Sequence, residues 1–470
     1  MEAEKALGSD GLQAAGLPDS SRLVDASSRP APSSFRWFIV AMLCAVAFVL
    51  YIDRVNLMVA ISYMKEEFGF SEEACGDILS AFQFGYAAGL VPGGWLADRF
   101  GPYRVLAAAG LSWSVCTVLI AAVGRDFGGA GFDVVNVLFA LRFLLGLCEA
   151  CAFPTFGKAL AHWVRRTERA WASGLIHSGA GLGGALTPLF IVAIVLSFGW
   201  RESFLVSSLV TLAIALAWIR WAADDPAQHP RVSPEELQFI AAEKEEMRSE
   251  PLDAAWFLKA ARSRSLYLLC ASEFFYGLGG FVFLTWFFRY FRDVRGVDDV
   301  FSGFFASCNW MAMAITAPLG GWLCDRCVRR WGNPWGRRAV PLVSIVLSGL
   351  CGMAAPAIEN PWASAAVFAL AAGLLYGAAA AFWSTLIDLT RRGAGILGGL
   401  MNGVGSLGGA LGAMFFARLV PFLGYQGALQ CAGAMAVVSG LIWLGIDSSQ
   451  GIDERSNDGR RDVPTQTTAT

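Results

Sequence analysis

Charge is scarce in this sequence: Asp, Glu, Lys and Arg make up 16% of the 470 residues, against roughly a quarter in a soluble chain of this length. With 56% hydrophobic residues and a mean hydropathy of +0.51, the shortage excludes an ordinary soluble domain and points to a membrane protein. Histidine is scarcer still, with three in all. No Ser-His arrangement or H-E-x-x-H spacing accompanies them, so no enzyme is expected. A formal net charge of -2 and a pI near 6.0 leave no basic stripe to neutralise phosphates, so no nucleic-acid partner is expected. The run "FGKAL" at Phe156 lacks the glycine spacing and the Ser/Thr of a phosphate-cradling loop, which excludes ATP-driven work by this chain. Two C-x-x-C spacings, Cys148/Cys151 and Cys324/Cys327, lack the second pair or nearby His of a zinc site; they read as reduced core residues, and neither metal nor cofactor is expected.

What is abundant is apolar sequence. Residues 1–34 are polar, rich in Ser, Ala and Pro, without the basic segment and small-residue cleavage site of a signal peptide, and are expected to form a disordered cytoplasmic tail. Thereafter twelve apolar runs are each long enough to span a bilayer, roughly 36–63, 75–97, 103–123, 133–161, 169–196, 202–222, 264–290, 302–323, 339–357, 362–388, 394–419 and 425–446. One long polar connection, 223–262, separates six runs from six, and its Ser233 is placed to cap a charged amphipathic helix. The expected fold is therefore all-α, with six-helix bundles at 35–222 and 263–446 and a cytoplasmic tail at 447–470.

Internal repetition supports the division. "PGGWLADR" at 92–99 returns as "GGWLCDR" at 320–326, with Asp98 and Asp325 offset by 325 − 98 = 227 residues. "GLIHSGAGLGGAL" from Gly174 matches "GLMNGVGSLGGAL" from Gly399, and Trp200 of "FGWRESF" matches Tyr425 of "LGYQGAL", both at an offset of 425 − 200 = 225. Ordered matches at nearly one offset imply duplication of a six-helix unit, a known way to build transporters. Arg and Lys are denser on the connections that lie inside when both termini are cytoplasmic, although Arg289, Arg292 and Arg295 beside the seventh run break that bias.

An ionised side chain in the hydrocarbon region costs at least about 2.5–3.5 kcal/mol, so the few present should face a protein interior or wet cavity. Those placed deep are Asp53 and Arg54 in the first run, Arg142 and Glu149 in the fourth, and Glu273 in the seventh. Arg142 and Glu149, seven residues apart, share a helix face. Asp53 lies at about the depth of Arg142 and is its expected partner, while Arg54 points about 100° away and is left to meet an anion. A carboxylate that alternates between an Arg partner and isolation can load and release a proton, so Asp53 and Glu149 are candidates for coupling. The plainer reading is that these four residues lock two helices together. Glu273 fits either a snorkelling position or a cavity role. His177 and Asn402 occupy equivalent repeat positions near mid-depth and fit cavity lining, a lone membrane His being otherwise a packing residue. Tyr51, Tyr86 and Tyr276 sit at useful depths. Asp98, Arg99, Asp325 and Arg326 stand at helix ends and suit gating, as a latch between halves, better than substrate contact.

"GGWLADRFGPYR" and its partial repeat resemble the signature of the major facilitator superfamily. "YIDRVNLMVA" with "RFLLGLCEACAFP" resembles its anion:cation symporter branch, which includes hexuronate, galactonate and glucarate transporters. By position, the resemblance implies Asp53 and Glu149 as proton-coupling carboxylates, Arg142 as the partner of Asp53 and Arg54 as a clamp on a substrate carboxylate. It also implies Tyr51, Tyr86 and Asn402, with Trp383 and Ser384, as substrate contacts. The chain departs from the branch's "TWFP" in the seventh helix, reading "TWFFRYF". The expected function is alternating-access symport of protons with a small organic anion such as a hexuronate or aldonate, by a monomer in the plasma (inner) membrane. A uniporter, channel or exchanger, or a transporter-like ligand sensor, is the alternative.

Overall fold

In lipid every backbone N–H and C=O must be satisfied within the chain, so the apolar runs close into helices. The computed structural model describes residues 34–124, 133–241, 253–390, 393–449 and 451–453; most of both expected tails, part of the linker, and Arg125, Arg391 and Arg392 lie outside these. The first half comprises α1 (Phe35–Phe68), α2 (Glu72–Phe100), α3 (Pro102–Ala122), α4 (Val134–Glu149), α5 (Ala152–Trp163), α6 (Arg166–Phe198) and α7 (Trp200–Trp221). Two short helices follow in the linker, α8 (Pro234–Ala241) and α9 (Ala254–Arg262). The second half comprises α10 (Arg264–Thr285), the one-turn α11 (Phe287–Arg289), α12 (Asp299–Trp331), α13 (Trp335–Ala354), α14 (Pro361–Gly377), α15 (Ala379–Leu389) and α16 (Ala394–Ile442).

Among the described residues, ten helical stretches are long and apolar enough to cross a membrane, with α4–α5 and α14–α15 each counted as one. Two facts raise this to the expected twelve crossings. The 29-residue α2 spans a similar length but carries Gly and charged residues, and α16 breaks at Gly424, whose φ of 66° and ψ of 173° are not helical. Gly199, at the matching place between α6 and α7, also has positive φ, at 110°. Such backbone suits glycine, which has no Cβ to clash.

The halves repeat in packing as well as sequence. Helix α1 packs on α6, α2 on α4 and α3 on α7; in the second half α10 packs on α16, α12 on α14 and α13 on α16. The fourth helix of each half is broken at the same place, between α4 and α5 at Ala150–Cys151 and between α14 and α15 at Ala378. A glycine of the repeated motif presses on each break. A Cβ at Gly93 would stand 2.7 Å from Cys151 Cα, and one at Gly320 would stand 1.8 Å from the Gly377 carbonyl oxygen. Close approach of helix backbones through small residues is how membrane helices associate when lipid removes the hydrophobic drive between them.

The seam between the halves is closed at one end and open at the other. On α2 a Cβ at Gly76 would meet Ala417 Cβ of α16 at 2.4 Å, whereas eighteen residues along each helix on the same face, Gly94 and Gly399 have nothing within 4 Å. Eighteen residues are five full turns, about 27 Å. Helices α6 and α12 behave alike: Gly184 touches Trp310 and Gly181 approaches Ala314, but Gly174 on that face of α6 meets nothing within 4 Å and His177 is exposed. The halves therefore diverge toward the end that carries the linker.

The linker is held to the first half by charge. The Ser233 Oγ accepts from Glu236 N at 3.2 Å, which is the expected helix cap. Arg36 bridges Glu236 at 3.2 Å and Glu168 at 3.3 Å, and His229 stacks on Phe35 at 4.2 Å. Burial there holds the His229 imidazole below its ordinary range.

Candidate functional site

Midway down the seam, α1 and α4 bring four ionisable residues together. Arg54 Nε donates to Glu149 Oε2 at 2.8 Å, and its guanidinium lies 5.3, 5.0 and 4.7 Å from the ring centres of Tyr51, Phe82 and Tyr86. Glu149 is fully buried at the last residue of α4, immediately before the helix break, and its Oε1 has no partner; nor has Arg54 Nη2. The pair is thus made through one bond, with a donor and an acceptor left over.

The expected partnership of Asp53 with Arg142 is not formed between side chains. Arg142 Nη1 reaches the Asp53 backbone carbonyl at 3.4 Å, while Asp53 Oδ2 accepts from Thr211 of α7 at 3.0 Å and its Oδ1 has no partner. The cause is azimuth rather than depth. Consecutive residues on a helix point about 100° apart, so Arg54, aimed at α4 and α2, takes the carboxylate, and Asp53 is turned toward α7. Arg54 is correspondingly not the unengaged cation that the sequence suggests.

Tyr51 is half-buried and meets Trp310 of α12 edge-on at 5.4 Å, which carries the aromatic wall from the first half into the second. Tyr86 is buried beneath Arg54, and Tyr276 donates to the Leu375 carbonyl at 3.3 Å. Asn402 is half-buried on α16. His177 is exposed, with Nδ1 at 2.8 Å from the Ser173 carbonyl and its ring 5.6 Å from Phe153. Ser384 donates to its own helix at Ala381 O, 3.2 Å away, and Trp383 is 47% exposed while covering Gly398 of α16.

The motif acids at the linker end pair within their own halves. Asp98 meets Lys158 at 3.2 Å and Asp325 meets Arg337 at 3.1 Å; Arg99 is exposed and Arg326 lies 5.6 Å from the Trp322 ring centre. The latch between halves expected there stands instead at the opposite end. Glu72 of α2 takes Arg289 at 2.7 Å and Tyr425 at 2.8 Å, Glu66 takes Arg292 at 2.8 Å, Ser62 donates to Asp293 at 3.2 Å, and Asp77 takes Arg418 at 2.9 Å. These contacts account for two of the arginines that break the charge bias, and the third, Arg295, caps the carbonyls of Pro356, Ile358 and Glu359. Phe288 stands where "TWFP" has its proline, and Arg289, the next residue, is fully buried in this latch.

Because breaking a buried ion pair costs about 3–5 kcal/mol, the latch holds this end shut. Glu72→Gln is expected to raise the alkylation rate of the fully buried Cys75 by about tenfold or more, the equivalent of 1.4 kcal/mol. The check is a membrane-impermeant maleimide with peptide mapping, and an unchanged rate in folded protein would deny the latch its role.

Two six-helix halves, a V-shaped seam and ionisable residues at mid-depth make a carrier's architecture, and residues 43–335 match the sequence profile of the Major Facilitator Superfamily. The chain belongs to that superfamily. It is a transport protein, not an enzyme, and a multi-pass membrane protein. Similar curated proteins include a "Probable sulfoacetate transporter" of Cupriavidus necator, 35% identical with 91% of this chain and 98% of that protein covered. A "D-galactonate transporter" of Escherichia coli is 30% identical over 88% of this chain and 96% of its own length. Among solved structures, a bacterial homologue of the human lysosomal transporter Spinster, inward-facing and unoccupied, superposes with a TM-score of 0.75 at 16% identity over 91% of this chain and all of that one. A D-xylose-proton symporter superposes at 0.64, again at 16% identity, over 87% and 97%. At those identities the structures establish the fold alone.

For this superfamily member, sequence reasoning missed Thr211, Phe82 and Trp310, all of which touch the site. Thr211 and Trp310 sit on helices whose azimuth no motif fixes. Phe82 had a signal: it precedes Tyr86 by one helical turn on α2, so the two rings stack at 6.0 Å beneath Arg54.

Proposed function

We propose that this chain is a proton-coupled symporter of a small organic anion, a hexuronate, aldonate or related acid, working by alternating access. The two halves, 35–222 and 263–446, would rock about the seam, with the linker and both termini on the cytoplasmic side of the plasma membrane, and the unit would be a monomer. The observation that carries the reading is the Arg54–Glu149 pair, bonded once at 2.8 Å with Nη2 and Oε1 both unpartnered. An acidic group on the cargo competes with Glu149 for the guanidinium, a planar fork suited to carboxylate or sulfonate. Protonating Glu149 removes the competitor, so proton and anion load together. Asp53, held by Thr211 with Oδ1 unpartnered, supplies a second titrating carboxylate beside the first. The relatives' names fit this cargo class, since sulfoacetate and galactonate are both small acids.

Counterflow in proteoliposomes with sulfoacetate and D-galactonate, with and without an inward pH gradient, tests the reading. Accumulation above equilibrium only with the gradient is the expected outcome. Equilibration indifferent to the gradient would assign a uniporter or channel, and binding without flux would assign a sensor.

A further inference from the structure

One ionisable residue plays no part in this coupling scheme. Glu273 lies nine residues into α10, about 13 Å from its start at 1.5 Å per residue. Among the described residues its carboxylate makes no hydrogen bond and no ion pair, and Oε2 is a buried atom without a partner. Space for the side chain comes from Gly405 of α16, where a Cβ would stand 2.7 Å from Glu273 Cγ and 3.1 Å from Oε1. The helix on which Glu273 leans therefore supplies room and no cation.

The carboxylate belongs to the same crevice as Arg54. The helices that carry the two residues touch across the seam, α1 against α10 and α2 against α16, and one turn along α16 from Gly405 a Cβ at Gly409 would stand 3.1 Å from Gln83 Nε2 of α2, the helix whose Phe82 and Tyr86 flank the Arg54 guanidinium. A guanidinium of the first half and a carboxylate of the second thus lie on helices that meet along the seam. Charge matching among the buried groups of these helices and α4 is incomplete: Asp53, Glu149 and Glu273 stand against Arg54 and Arg142. A cargo bearing only an acid satisfies Arg54 but leaves Glu273 unmatched in a region where an unpaired charge is costly. A cargo bearing an acid and an amine matches both ends.

We propose that the crevice is a dipolar binding site in which Arg54 takes the acidic group of the cargo and Glu273 takes a primary ammonium, so that small zwitterions are preferred over the same acids lacking an amine. This rests on the proposed function only in giving Arg54 the acidic group.

Isothermal titration of the purified full chain tests it with two matched pairs, taurine against 2-hydroxyethanesulfonate and D-glucosaminate against D-gluconate. The amine-bearing member is expected to bind about tenfold tighter, as a charge-assisted contact would provide. Glu273→Gln is expected to abolish that ratio while changing the affinity for the amine-free member by no more than about twofold. No preference in the wild-type chain, or a preference that survives Glu273→Gln, overturns the proposal; so does binding of sulfoacetate with neither pair bound. If the variant does not fold, the wild-type ratio still decides, with Glu273→Asp as the second variant. Acid-enhanced binding of the amine-free members that Glu273→Gln removes, without an amine preference, would assign the carboxylate to a proton. Failure of every anion to bind, sulfoacetate and D-galactonate included, would instead reject the proposed function.

Discussion

Arg54→Ala is expected to weaken binding of sulfoacetate and D-galactonate by a hundredfold or more, measured by titration calorimetry at one pH. The loss has two sources that can be separated. A hydrogen bond to a charged group is worth about 1.5–3 kcal/mol, and a planar fork reaching a carboxylate or sulfonate makes more than one. The same truncation strands Glu149, whose side chain is fully buried and whose only ion pair among the described residues is with Arg54, and an uncompensated buried charge destabilises by about 3–5 kcal/mol. Lower thermal stability would therefore accompany lost binding and could be mistaken for its cause. Arg54→Ala combined with Glu149→Gln removes the stranded charge, so stability should recover and binding should not. Arg54→Lys keeps a charge among Tyr51, Phe82 and Tyr86 but not the fork, and should fall between. Binding restored in the double variant would place the anion contact elsewhere.

Glu149→Gln and Asp53→Asn should each abolish accumulation driven by a pH gradient while leaving exchange of internal for external anion. Their binding profiles should differ. If the anion and the ionised Glu149 compete for one guanidinium as proposed, proton uptake should accompany anion binding in the wild-type chain and affinity should fall as pH rises. Glutamine at 149 removes the competition, and affinity should become nearly independent of pH and equal or exceed the wild-type value at neutral pH. Asparagine at 53 keeps the acceptor for Thr211, bonded at 3.0 Å, and leaves the Arg54–Glu149 competition in place, so the pH dependence of binding should persist while coupling is lost. Proteoliposome uptake and calorimetry over a pH series measure the two properties. Wild-type accumulation in either variant would remove that carboxylate from coupling.

Most of the fold was legible because lipid imposes a length rule and duplication repeats it: apolar runs of about twenty residues, twice six of them, and motifs at nearly one offset pointed to the helices and to their division into halves. Which residues lie at mid-depth followed from the same counting. What counting along the chain cannot supply is rotation about each helix axis. Asp53 and Arg54 differ by one residue and lie at nearly one depth, yet one faces Thr211 on α7 and the other Glu149 on α4. That choice depends on how α1 is turned against three neighbours at once, and no periodicity in an almost uniformly apolar helix encodes it. The latch was misplaced for a related reason. Asp98 and Asp325, with Arg99 and Arg326, suited a latch because they stand at equivalent helix ends of the two halves, but those ends lie apart where the seam is open, and the two carboxylates are met locally by Lys158 and Arg337.

The paired glycines at the helix breaks bear on how such a chain can change. A side chain at position 93 would strike Cys151, and one at 320 would strike the Gly377 backbone, so both copies of the duplicated scaffold are held to glycine at these two positions. The crevice carries no such demand for sameness: His177 in one copy answers Asn402 in the other, and Glu273 leans on a glycine that leaves it room. Mutational freedom is thereby partitioned, with the helix breaks of each half frozen and the lining open to drift, so a new cargo can be acquired by altering a few inward side chains while the duplicated scaffold is inherited intact.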